Sequence, residues 1–165
     1  METNCCNSNC CNYKLSRYEH KNKTYKIKKL KGGIFIYDPE SYKILLVQSR
    51  GNLWGPPKGS IEDGESIKQC ASRETVEETG IFIDVSELNR YTKINSNSVY
   101  FYYEMKEREV HIQRSNIVYK NDATGIGWFK PSCLQELMND EKIKITQYCK
   151  IVIKKFLGIK LETNS

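Results

Sequence analysis

Between Gly59 and Ile81 the chain reads GSIEDGESIKQCASRETVEETGI, and three carboxylates in it sit where a helix should bury its face. Ser66 with Gln69 three residues on is a capping box, and Gly80 suits a helix end, so a helix is expected over 66–79. At ~100° per residue, Ile67, Cys70 and Ala71 form its apolar stripe. Glu74, Glu77 and Glu78 continue that stripe, stacked by their i, i+3, i+4 spacing. Carboxylates crowded against a core repel one another and lose hydration, so something must compensate. A hard divalent cation does so, because it takes oxygen ligands and neutralises several carboxylates at once. The bland alternative is a solvated acidic face, the usual fate of charge runs.

The elements that must hold these residues belong to a chain of 165 residues, enough for one domain with a proper core. Hydrophobic and charged contents of 39% and 28% are those of a soluble globular protein. No run of 18 apolar residues and no hydrophobic signal core is present, so no membrane association and a cytoplasmic location are expected. A net charge of +6 favours anionic partners such as nucleotides or RNA, although AT-rich codons are an equal source of lysine. Four of the seven cysteines lie in CCNSNCC, a spacing that matches no standard zinc site. Residues 1–23 therefore read as a flexible, reduced, Asn- and Cys-rich arm, and 24–160 as the single domain.

From Tyr25, YKIKKLKGGIFIYD predicts a strand running into a buried strand with a glycine kink. DPESYK is a turn, and ILLVQSR is a second buried strand. GNLWGPPKGS is a Gly/Pro loop that feeds the acidic helix. IFIDV, NSVYFYYEMKE and GIGWF read as further strands, and PSCLQELM as a helix opened by proline. The segment 141–160 places Ile143, Ile145, Tyr148, Cys149, Val152, Ile153 and Phe156 near helical spacing, with lysines elsewhere. Such a mixture implies a mixed sheet packed between helices, in the α/β class.

Taken as a spaced pattern, Gly59, Glu65, Arg73-Glu74, Glu77-Glu78, Gly80 and Ile81 resemble the Nudix box, the signature of hydrolases that cleave a nucleoside diphosphate linked to another moiety. Thr75 departs from it, standing where the family usually has a bulkier aliphatic residue, and should affect packing more than chemistry. The resemblance implies the Nudix α/β/α sandwich over residues 30 to 135. It also implies that Glu74, Glu77 and Glu78 bind Mg²⁺ or Mn²⁺, helped by the Lys58 main-chain carbonyl. Glu78 is the favoured general base, and Glu74 the second choice. Glu65 and Arg73 match supporting positions, with Arg73 expected to pair with Glu65 or Glu77. Relatives often add an acid six residues before the tryptophan of a later strand. Here that residue is Asp122, with Glu104 or Glu107 as other sources.

This inventory suits hydrolysis by activated water, because metal ions neutralise a pyrophosphate and acidify a bound water, and a carboxylate takes its proton. No GxSxG is present and histidine is scarce. LLVQSRGNLWGPPKG, residues 45–59, is similar to the loop of RNA-decapping enzymes and of dinucleoside-tetraphosphate hydrolases. Arg50 and Lys58 are its candidate substrate contacts, and Trp54 is its anchor. Cleavage of capped RNA is the leading expectation, with Lys150, Lys154 and Lys155 as contacts to the RNA body. Dinucleoside polyphosphates and diphosphoinositols come next. A non-catalytic Nudix-like module is the remote third, because such modules lose box carboxylates that this chain keeps. No obligate protein partner is evident.

Overall fold

The structure, a computed structural model, describes residues 2–4, 11–15, 29–49, 52–113 and 123–162. Its elements are β1 (Glu2–Asn4), β2 (Asn12–Leu15), β3 (Lys31–Asp38), β4 (Lys43–Ser49), β5 (Leu53–Gly55), β6 (Lys58–Ser60) and α1 (Ile67–Thr79). There follow β7 (Arg90–Ile94), β8 (Ser98–Glu104), β9 (Gly125–Phe129), α2 (Pro131–Asn139), β10 (Lys144–Ile145) and α3 (Gln147–Leu157). The main sheet runs β1-β2-β9-β4-β3-β8-β7, with β6 on β3, and β5 between β4 and β10. β3 is antiparallel to β4 and β6 but parallel to β8, so the sheet is mixed, as expected.

Two cores follow from the period-2 alternation of the central strands. Ile34, Ile36, Leu45 and Val47 pack with Ala71 of α1, while Phe35, Ile44 and Leu46 pack with Leu134 and Leu137 of α2 and Val152 and Ile153 of α3. The sheet is thus a layer between α1 and the α2–α3 pair. Gly32 and Gly33 let both sides approach its backbone. A Cβ on Gly32 would lie 2.8 Å from the Ile67 carbonyl oxygen of α1. A Cβ on Gly33, on the other face, would lie 2.7 Å from the Pro57 carbonyl oxygen, 2.8 Å from the Lys58 Cβ and 2.9 Å from the Tyr100 ring. The glycine kink expected in this strand is a two-sided close approach.

Helix α1 forms as its sequence predicts. The Ser66–Gln69 capping box is closed in both directions, and Gly80 ends the helix in the left-handed conformation. Thr75 is fully buried, and its hydroxyl donates to the Ala71 carbonyl at 2.8 Å, so this departure from the box leaves no polar group unpaired.

Three expectations need correction. Residues 12–15, assigned to a flexible arm, form β2, which pairs with β9 in register from Asn12↔Trp128 to Leu15↔Gly125. Cys11 and Tyr13 are buried, and Tyr13 stacks on Phe129 and meets Trp54 edge-on. The short polar flanks hid this four-residue strand, whose buried anchors are Cys11 and Tyr13. IFIDV is no strand: Ile81 and Ile83 are buried from an irregular segment, and Val85–Glu87 is a 3-10 turn. The final helix spans only 147–157. Ile145 lies in β10 beside Trp54, and Thr146 caps α3 by accepting from the Cys149 N–H. The apolar spacing of Ile143 and Ile145 reflected strand alternation.

Candidate functional site

Helix α1 delivers its carboxylates to the peptide of β6. Glu77 and Glu78 are buried and Glu74 nearly so. The Lys58 N–H donates to Glu78 Oε2 at 3.0 Å. Gly32 lies opposite Gly59, and the Ile34 N–H bonds the Pro57 carbonyl. Alternation along an antiparallel pair therefore turns both peptide groups of Lys58 away from β3, toward Glu78. Gly59 has no room for a side chain, because a Cβ there would overlap the Glu74 carboxylate.

Arg73 supplies the positive charge that this crowding demands. Its Nε and Nη2 grip Glu65 at 2.7 and 3.0 Å, and its Nη1 donates to Glu74 at 2.8 Å and to Glu77 at 3.3 Å. Nη2 also donates to the Ser60 carbonyl at 3.0 Å, which ties the guanidinium to β6. The expectation named Glu65 or Glu77; the arginine holds both, and Glu74 as well. Burial pushes the Glu65 carboxyl up, but the Arg73 hydrogen bonds win and hold it below its ordinary range. Burial dominates at Glu77, whose carboxyl is raised despite Arg73. The guanidinium itself is held charged, chiefly by Glu65.

The chemistry of this donor set fits a hard divalent cation: carboxylates from successive turns, two of them buried, converge beside an outward-turned main-chain peptide. Among the described residues, no three His, Cys, Asp or Glu side chains already surround a common point as a metal requires. Cys70 is no rival nucleophile. Its thiol is buried, donates to the Gly59 carbonyl at 3.4 Å, and is pushed up to about 11 by desolvation.

The remaining candidates divide. The Lys58 side chain emerges on the α3 face, its Cβ over Gly33, so only its peptide faces the carboxylates. Trp54 is buried and meets Phe129 edge-on, which makes it the loop anchor expected. Lys150, Lys154 and Lys155 lie on α3, where the Lys155 Nζ donates to the Lys93 carbonyl at 3.2 Å. Arg50 and Asp122 fall outside the described residues. Glu104 and Glu107 do not join the cluster. Glu104 stands opposite Tyr37, four residues along β3 from Gly33, and accepts from the Tyr102 hydroxyl; Glu107 pairs with Lys43 at 2.9 Å. Tyr100, one of the tyrosines of β8, has its ring over Gly33. Its hydroxyl is buried, has no hydrogen-bond partner among the described residues, and is pushed above the ordinary range by desolvation, with Cys149, Tyr148 and Glu78 adding to it.

The sequence model of the NUDIX domain matches residues 29–149. The chain belongs to the Nudix family. It is a Nudix hydrolase, and such enzymes generally use divalent metal ions. A protein of Invertebrate iridescent virus 3, designated 111R and provisionally named a hydrolase, is 34% identical over 117 residues, 70% of this chain and 67% of that protein. The Caenorhabditis elegans m7GpppN-mRNA hydrolase dcap-2 is 43% identical over 63 residues, 36% of this chain and 8% of that protein. The Sus scrofa asymmetrical bis(5'-nucleosyl)-tetraphosphatase is 48% identical over 46 residues, 27% of this chain and 31% of that protein. The likeness to these last two is therefore partial on both sides. Among the described residues of this Nudix hydrolase, no helix is long and apolar enough to cross a membrane.

Proposed function

We propose that the protein hydrolyses the 5′ cap of RNA, adding water across a phosphoanhydride to release a nucleoside diphosphate and 5′-monophosphate RNA. One observation carries this choice: the basic helix α3 starts at the catalytic loop. The Thr146 N–H bonds the Trp54 carbonyl at 2.9 Å, and a Cβ on Gly55 would lie 3.1 Å from the Thr146 Oγ1. Lysines at 150, 154 and 155 then lead away from that junction along the helix. A capped RNA continues past the scissile bond as a phosphate chain, which such a row suits. The partial likeness to dcap-2 supports the same reading.

Glu74, Glu77 and Glu78 would hold Mg²⁺ or Mn²⁺, with the Lys58 carbonyl. The cation neutralises the phosphates and acidifies water when bound. Glu78 takes the water's proton; the Lys58 N–H holds its carboxylate in place. Arg73 fixes Glu74 and Glu77 relative to β6, and Glu65 orients Arg73.

The short, closer likeness to the tetraphosphatase favours a second reading, hydrolysis of dinucleoside polyphosphates. Diphosphoinositols stand third. Purified protein offered capped RNA, diadenosine tetraphosphate and a diphosphoinositol with Mg²⁺ or Mn²⁺ decides among them. A nucleoside diphosphate released from capped RNA at the highest kcat/KM is the expected result. Preference for either small substrate overturns the RNA reading, and no turnover of any overturns hydrolysis.

A further inference from the structure

Two cysteines far apart in the sequence converge at the start of α2. β2 pairs with β9 from Asn12↔Trp128 onward, which leaves Cys11 beside the passage from β9 into α2. There its sulfur accepts the Lys130 N–H at 3.4 Å. Lys130 is the N-cap of α2, its side chain makes no capping bond, and Cys133 is the third residue of the helix.

Helix geometry turns Cys133 toward the same N–H. Side chains on a helix tilt toward its N-terminus, and the third residue is the one that reaches back to the N-cap. Helix α1 shows that reach directly: Gln69, third in its helix, accepts the Ser66 N–H at 2.8 Å. In α2 the third residue is a cysteine, shorter than glutamine, and the Cys11 sulfur occupies the N–H toward which it leans. Both thiols are buried, at 0% and 5% exposure, in one core with Tyr13 and Leu134, and neither is cross-linked.

We propose that Cys11 and Cys133 form a disulfide under oxidising conditions, a reversible latch that locks β2 onto α2. The bond closes a loop of more than a hundred residues. It also fastens the strand that carries Tyr13, whose ring stacks on Phe129 and meets Trp54, the anchor of the catalytic loop.

Hydrogen peroxide supplies the simplest route. One sulfur, as its thiolate, attacks the O–O bond and becomes a sulfenic acid; the displaced hydroxide takes up that thiol's proton and leaves as water. The second thiol attacks the sulfenic sulfur, forms the S–S bond and releases a second water. Two thiols and one peroxide thus give one disulfide and two waters. Because both sulfurs are buried, the oxidant reaches them when the four-residue β2 parts locally from β9.

The test uses the full, reduced chain with the variants Cys11→Ala and Cys133→Ala, each treated with hydrogen peroxide under native conditions. Peptide mapping without reductant should find Cys11 joined to Cys133 in the unaltered chain. Its melting temperature should rise by roughly 10 °C, the scale for closing so long a loop in a chain of this size. Dithiothreitol should return it to the starting value. Neither variant should show the rise; a packing loss caused by alanine lowers the melting temperature equally before and after oxidant. Mapping of the unaltered chain decides the matter even where a variant is unstable. Retention of both thiols in the folded, peroxide-treated chain overturns the latch, as does a bond from either cysteine to Cys5, Cys6 or Cys10. A bond that forms only in denaturant, or one that leaves the melting temperature unchanged, overturns it as well.

Discussion

Gly59 and Glu74 share one space: the Glu74 carboxylate lies where a side chain at 59 would have to be. The glycine of the box is a gap that lets a carboxylate reach the β6 backbone. Gly59→Ala should therefore expel Glu74, cutting kcat by at least ~10²-fold, the scale of a lost electrostatic partner. Circular dichroism and steady-state kinetics on the same sample check it. A folded Gly59→Ala enzyme with normal kcat would refute this.

Glu78→Gln and Glu74→Gln should each lower kcat by at least ~10²-fold, as for a lost base or metal partner. If these carboxylates hold Mg²⁺ in the folded state, millimolar Mg²⁺ should raise the melting temperature of the unaltered chain. The rise should shrink in both variants. Thermal denaturation with and without Mg²⁺ reads both effects, and identical shifts in all three proteins would dismiss these carboxylates as ligands.

Deleting residues 2–22 should destabilise the protein, since it removes the β2–β9 pairing and the buried Cys11 and Tyr13. Loss of the Tyr13 ring from its contacts with Trp54 and Phe129 alone should cost about 3 kcal/mol or more, by analogy with aromatic truncations in cores. Urea denaturation of the truncated and full chains measures it. A midpoint unchanged within error would return residues 1–23 to the status of a flexible arm.

The uneven legibility of the sequence has a physical basis. Helix α1 was readable to within one residue because caps, stripe and stop are local signals, and the box spacing singles out its candidate site residues. β2 was not, because a four-residue strand anchored by Cys11 and Tyr13 carries no alternation long enough to see. The approach of Tyr100 to Gly33, by contrast, comes from parallel pairing of β3 with β8, across more than sixty residues of chain. No local pattern encodes that register. The role of Arg73 was half legible: its i, i+4 partner Glu77 follows from helix geometry, but its grip on Ser60 requires the loop to fold back.

Asp38 gives the acid limb of stability a defined source. Burial pushes its carboxyl up, but donations from the Glu107 N–H, the Ser41 hydroxyl and the Glu40 N–H outweigh it, and the group is lowered from 3.8 to about 2. A depressed folded value stabilises above the unfolded value and is lost as pH falls through the folded one. Its contribution is thus complete above pH 4 and disappears toward pH 2. Asp38→Asn should be less stable at pH 7 and should lose part of the decline between pH 4 and 2. Denaturation midpoints across that window show it, and parallel curves for both proteins would discount Asp38.

The row of lysines on α3 separates the leading substrates. If an RNA body runs from the Trp54–Thr146 junction along this helix, its binding should weaken with salt, by a log–log slope of roughly −0.7 per neutralised phosphate of a single strand. Changing Lys150, Lys154 and Lys155 to Gln should raise KM for capped RNA severalfold and flatten that slope by about two units. A free cap analogue, which lacks the RNA body, should be cleaved as before. The fold should survive, because Cys149, Val152 and Ile153 supply the buried side of α3 and the three lysines do not. Lysines that merely reflect a solvated helix face predict the same small change for both substrates. Capped-RNA cleavage indifferent to salt and to the triple substitution would therefore shift the assignment to dinucleoside polyphosphates, which have no RNA body for a row of lysines to hold.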